Sequence, residues 1–118
     1  MATKVNRDAV KHARKLIEGG DYVVDTDWSE RQPSPDDENK YLDRHDWDEY
    51  SRWHLAEDTS EDKDTKGRYK FPYGDFKKVH RAGVIAAKQR AAQNDYADVE
   101  QAADELLQVI DKQEGREG

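Results

Sequence analysis

The sequence predicts a mainly α-helical fold: a small domain of four to five helices with a C-terminal antiparallel helix hairpin and a short aromatic-rich extended or two-stranded β region. Three observations carry that expectation. Apolar residues recur at steps of three and four over residues 7–17, 76–93 and 96–110, the period of amphipathic helices. Capping residues stand just before most of the expected helix starts. Only residues 68–73 alternate aromatic with polar or proline positions in the period of two that a half-buried strand needs.

The first helix is expected from Asn6 as N-cap, with Asp8 in its first turn and Val10, Ala13, Leu16 and Ile17 on one face, stopping at Gly19 and Gly20. Residues 21–28 hold enough β-branched and aromatic side chains for a short strand only, before the Gln-Pro-Ser-Pro turn at 32–35. Ser34, Pro35 and Asp37 then read as N-cap, N1 and N3 of a second helix bearing Tyr41 and Leu42. Asp46 and Glu49 repeat that spacing ahead of Trp47, Tyr50, Trp53 and His54, which predicts a third short helix with an aromatic face. Residues 57–66 have nothing apolar to anchor them and read as a solvated acidic loop. After it, Tyr69, Phe71 and Tyr73 form the expected strand, restricted to a sheet edge by Pro72 and with residues 22–24 as its candidate partner. Asp75 reads as the N-cap of a helix from Phe76 to about Gln93, with an inner stripe of Phe76, Val79, Gly83, Ala86, Ala87 and Ala91. A turn at Asn94 and Asp95 leads to the last helix, with Tyr96, Val99, Ala103, Leu106 and Ile110 inward. The chain is thus expected as a single domain over 1–118, with flexible termini at about 1–5 and 113–118.

Composition limits what such a domain can be. Leu, Ile, Val and Phe make up only 18 of 118 residues, but three Trp and six Tyr enlarge what can be buried. A thin core favours self-association as a homodimer or a bound partner. Formal charge falls in blocks of +4 over 1–17, −12 over 18–64, +7 over 66–90 and −6 over 91–118, for a net −7. Blocks of opposite sign in so small a chain are expected to fold against each other. The longest apolar run, residues 84–87, is far too short for a membrane span. With no cysteine and no apolar leader, the expectation is a cytoplasmic protein without membrane contact.

Two stretches carry a resemblance: Trp-Asp-Glu-Tyr-Ser-Arg-Trp-His-Leu at 47–55, and Lys-Gly-Arg-Tyr-Lys-Phe-Pro-Tyr-Gly-Asp-Phe-Lys-Lys-Val-His-Arg at 66–81, running on through Ile85 to Ala87. In these the chain resembles, from Ala9 to about Asp111, a group of small bacterial proteins that are carried as hypothetical. The resemblance implies a free-standing small protein and lends it neither an activity nor a cofactor. Ala56 stands after Trp-His-Leu where Gly is the usual residue of the group.

The chemistry-bearing residues point to binding before catalysis. The chain lacks a Gly-x-Ser-x-Gly elbow and a cysteine nucleophile, and its seven glycines build neither a phosphate loop nor a dinucleotide fingerprint. The acidic runs at 25–29 and 58–64 lack the glycine and terminal glutamate of a calcium loop, and the four histidines lack zinc spacing. No metal and no cofactor is expected. The leading expectation is therefore an acidic binding or accessory protein without catalytic activity, making protein–protein contacts through an aromatic patch of Trp47, Tyr50, Trp53, Tyr69 and Tyr73 where these rings lie exposed; the competing reading of the same rings is core, which leaves the basic helix face as the contact surface. The alternative is nucleic-acid binding by residues 66–90, where Arg68, Lys77 and Arg81 lie among aromatic rings that bases can stack on. A third reading places a small hydrolase or anion site at His54 and His80. There Asp75 would serve as the carboxylate partner, and Lys77, His80 and Arg81 would gather near a helix start.

Overall fold

Five short strands join six α-helices among the described residues, so the fold is α/β and the mainly α expectation is corrected. About 55% of the chain is helical and 15% strand. The computed structural model describes residues 3–115. The elements are β1 (Thr3–Val5), α1 (Arg7–Glu18), β2 (Tyr22–Val23), α2 (Trp28–Arg31), α3 (Pro35–Leu42), α4 (Trp47–Ser51), β3 (His54–Asp58), a 3-10 turn (Lys66–Arg68), β4 (Tyr69–Pro72), β5 (Val79–His80), α5 (Arg81–Gln93) and α6 (Ala97–Gln113). Of the termini expected to be flexible, residues 1–2 and 116–118 lie outside the described residues, while Thr3–Val5 form β1.

One sheet is antiparallel, in the order β1-β3-β4, and a second is a parallel pair, β2-β5. The strand at 69–72 therefore pairs with β3, opposite His54, Ala56 and Glu57, and not with residues 22–24. Tyr22 and Val23 pair instead with Val79 and His80. The physical reason is that strands of two to five residues carry little local pattern of their own, so nothing in the sequence selects one partner over another. In β3 the first three residues are all buried, so no alternation marks it.

Where the pattern was long, the helices follow it. Helix α1 buries Ala9, Ala13 and Ile17 and ends on Gly19. Helix α3 carries the full capping box, Ser34 accepting from Asp37 N–H and Asp37 accepting from Ser34 N–H. Helix α6 buries Val99, Ala102, Ala103, Leu106 and Ile110. It runs antiparallel to α5, as two cross-links fix: Arg81 to Asp111 at 3.1 Å and Lys88 to Asp104 at 2.8 Å. Helix α4 ends at Ser51, which leaves Trp53 outside it and His54 at the head of a strand.

The start of α5 is the other correction. It begins at Arg81, with His80 as N-cap, and not at Phe76. Asp75 Oδ1 does accept from the N–H groups of Lys77 and Lys78, as a cap would. Phe76, however, has φ 67°, which no right-handed helix accommodates. Val79 N–H donates to Asp21 O and His80 N–H to Tyr73 O, so the backbone donors that would open a helix are drawn into strand pairing.

Gly74 sits where this turn meets the core. A Cβ there would lie 2.5 Å from Lys78 O and 2.6 Å from the Trp53 indole, whereas one at Gly67 would meet nothing within 4 Å. Gly74→Ala is expected to cost about 2 kcal/mol or more of stability by overpacking, and Gly67→Ala to stay within about 0.5 kcal/mol. Urea unfolding of the two variants checks this, and equal midpoints would show that the turn yields freely.

Candidate functional site

The two stretches of the resemblance, 47–55 and 66–81, come together. Beyond the β3-β4 ladder, Trp53 stacks on Tyr73 with ring centres 5.6 Å apart, and Tyr50 meets Tyr69 edge-on at 5.7 Å. Tyr73 Oη donates to Arg52 O at 2.6 Å. Tyr50, Trp53 and Tyr73 are buried, while Trp47 and Tyr69, stacked on each other at 6.1 Å, are half-buried. Burial, together with the Glu38 carboxylate, raises the Tyr50 phenol far above its ordinary range, and burial does the same at Tyr73. Most of the expected contact patch is thus core.

The two candidate histidines do different work. His54 Nδ1 lies 3.0 Å from Tyr50 O; a carbonyl only accepts, so this nitrogen carries the hydrogen. The ring is buried against Tyr50 and Tyr69, and burial pulls its pKa down from 6.5 to about 4. His80 sits elsewhere in the network, with Nδ1 2.9 Å from Thr26 Oγ1, Nε2 2.9 Å from Asp75 Oδ2, and Trp28 tilted over the ring at 5.5 Å. The Nε2–Asp75 approach is close but lacks hydrogen-bond alignment. At Asp75 burial pushes the carboxyl up, but His80 and the N–H groups of Lys78 and Lys77 outweigh it and hold the group below its ordinary value. Thr26, Asp75 and His80 share the residue types of a hydroxyl–imidazole–carboxylate relay, yet the imidazole is only 3% exposed. Its evident effect is to tie three segments, the approach to α2, the 74–78 turn and the start of α5, to one ring.

Half of the cations of residues 66–90 are engaged in ion pairs. Arg68 reaches Glu57 at 2.7 Å, Lys66 reaches Glu38 at 3.4 Å, and Arg81 and Lys88 bind α6 as described. Arg81 is therefore not gathered with Lys77 and His80 around an anion. Lys77 is exposed and lies on an open cleft of about 720 Å³ between α3 and the 74–78 turn. One wall is a ladder of parallel rings: Phe76 on Tyr41 at 4.3 Å and Tyr41 on His45 at 4.0 Å. Around it stand Arg31, Lys40, Arg44 and Lys77. Among the described residues Lys40 pairs with Asp36 at 3.3 Å, and the side chains of the other three form no ion pair. Of the cleft's carboxylates, Asp37 is held in the α3 capping box and Asp75 in the turn. Stacked rings and several cations thus share one concavity.

Sequence reasoning missed most of this cleft. Arg31, Lys40, Arg44 and His45 lie in the acidic block, where a few cations among many carboxylates give no signal, and Phe76 reads as a core helix position. Thr26 carried no signal of any kind. Among the described residues no helix is long and apolar enough to cross a membrane, and no cluster of three or more metal-ligating side chains is present. No family model, curated protein or solved structure matches the chain.

The lowered His54 pKa has a defined consequence. Between pH 6.5 and about 4 the unfolded chain takes up a proton that folded His54 refuses. Its contribution is whole above the unfolded value and falls as pH drops, by on the order of 3 kcal/mol across that window. In a pH series of NMR spectra the His54 ring resonances should stay unchanged down to about pH 5. A midpoint near 6.5 would show the ring to be solvated.

Proposed function

We propose that this is a non-catalytic binding protein that holds an acidic segment of a partner protein in the cleft between α3 and the 74–78 turn. The observation that carries the reading is the Phe76–Tyr41–His45 ladder flanked by Arg31, Arg44 and Lys77 without ion-pair partners. Aromatic rings and arginine are the residues that dominate protein interfaces. Charge complementarity favours an acidic partner, because Arg31, Lys40, Arg44 and Lys77 outnumber the cleft's carboxylates Asp37, Asp43 and Asp75, and among the described residues all of these cations but Lys40 lack an ion-pair partner. The 47–55 and 66–81 stretches both back this region: the first supplies Trp53, and the second the Gly74–Phe76 backbone packed on it. The nucleic-acid reading has less in its favour, with Arg68, Arg81 and Lys88 committed to carboxylates.

A photocrosslinking amino acid in place of Lys40, with the same residue in place of Gln108 on α6 as control, tests the reading in the host cell. One protein adduct is expected from position 40 alone. Charge reversal at Arg44→Glu and Lys77→Glu should weaken its recovery by roughly tenfold or more. Adducts to nucleic acid, or the same adducts from both positions, would refute the proposal.

A further inference from the structure

A second cleft, sharing no lining residue with the first, lies between α1 and the end of α4. It has a volume of about 500 Å³. Lys11, Arg14 and Lys15 reach it from α1 and Arg52 from the residue that follows α4, against the carboxylates of Asp8 and Glu18. Arg14 is loosely paired with Glu18 at 3.5 Å, both largely exposed, while among the described residues Lys11, Lys15 and Arg52 make no side-chain ion pair or hydrogen bond. Three cations without an ion-pair partner, from two elements, thus face one concavity, and with Arg14 they outnumber its carboxylates Asp8 and Glu18.

His12 forms part of the same cleft wall. Its ring meets the Trp53 indole edge-on, 5.0 Å between centres, and its Nε2 is buried without a hydrogen-bond partner. Trp53 itself is only 5% exposed and lies beneath the histidine, so the cleft offers no open aromatic face for a base to stack on. What it offers is positive charge on long, mobile donors, the chemistry that holds phosphate oxygens.

We propose that the Lys11–Lys15–Arg52 cleft is a binding site for a short oligophosphate anion, recognised through its phosphates alone. A di- or triphosphate carries enough negative charge to answer all three unpaired cations at once, which a single carboxylate does not. The electrostatics of His12 agree with this. Burial first, then Arg52, then Lys15 lower its pKa, so the cleft already stands at positive potential where the anion would sit. An anion that neutralises Arg52 and Lys15 removes the last two of these effects, and linkage requires the His12 pKa to rise by the same coupling that tightens the anion at lower pH.

Tripolyphosphate titrated into the full chain at constant ionic strength, followed on the His12 ring resonances, tests the proposal. The expected result is saturable binding with an upward shift of the His12 midpoint. The Lys15→Gln, Arg52→Gln variant should lose roughly tenfold in affinity, and Lys77→Gln should bind as the parent does, which separates this site from the partner cleft. An unchanged His12 midpoint at saturating tripolyphosphate would overturn the proposal, as would equal binding of citrate at equal charge. A nucleoside triphosphate that binds far more tightly than tripolyphosphate would also overturn it, by showing that a base is read.

Discussion

The approach of the Trp53 indole to the backbone of Gly74 is the contact on which the rest of the arrangement depends. It holds the residue that precedes β3 against the residue that follows Tyr73, so the β3-β4 ladder and the turn beyond it share one anchor. Only a residue without a Cβ leaves room there. From that point the turn projects in two directions. Asp75 faces His80 and through it Thr26, while Phe76, in a left-handed conformation that is costly for an aromatic residue, turns onto Tyr41 and builds the wall of the cleft. The interior and the candidate binding surface are therefore set by the same few residues.

Charge follows a comparable logic. The basic block of residues 66–90 folds against the acidic blocks on either side of it: Lys66 and Arg68 turn to Glu38 and Glu57, and Lys88 and Arg81 turn to Asp104 and Asp111. Arg68 with Glu57 is the most enclosed of these pairs and the other three are half-exposed. Their consequence lies in what they leave over. Once these cations are committed, the unpaired ones that gather around a concavity are Arg31, Arg44 and Lys77 at one cleft and Lys11, Lys15 and Arg52 at the other. Five of these six lie outside the segment that looks most basic in the sequence.

Legibility tracked the length of each element. Helices α1 and α6 announce themselves by periodic apolar residues over three turns or more, and α3 by a capping box whose two hydrogen bonds form as its spacing implies. The same kind of signal misplaced the start of α5 by five residues. Asp75 has the hydrogen bonds of a cap, yet the pull of Asp21 O and Tyr73 O on the next donors turned Val79 and His80 into a strand. Helix α2, with four residues, and β1, β3 and β5 give too few positions for a period to register. At the site, the sequence offered the aromatic residues of 47–73 both as core and as a contact surface, and the burial of Tyr50, Trp53 and Tyr73 decides for the core.

The sequence by itself determined the local choices: the apolar stripes of α1 and α6, the caps at Ser34 and Asp46, and that opposite charge blocks would meet, because each depends on neighbours within a few positions or on net charge alone. Only the tertiary structure decided the sheet pairings, the joining of Thr26 and Asp75 through His80, and the meeting of Arg31, Arg44 and Lys77 at one ring ladder. Most of these join segments that are not neighbours in the chain, and such contacts form only when the backbone hydrogen bonds of separate segments and the burial of Trp53 against Gly74 are satisfied together.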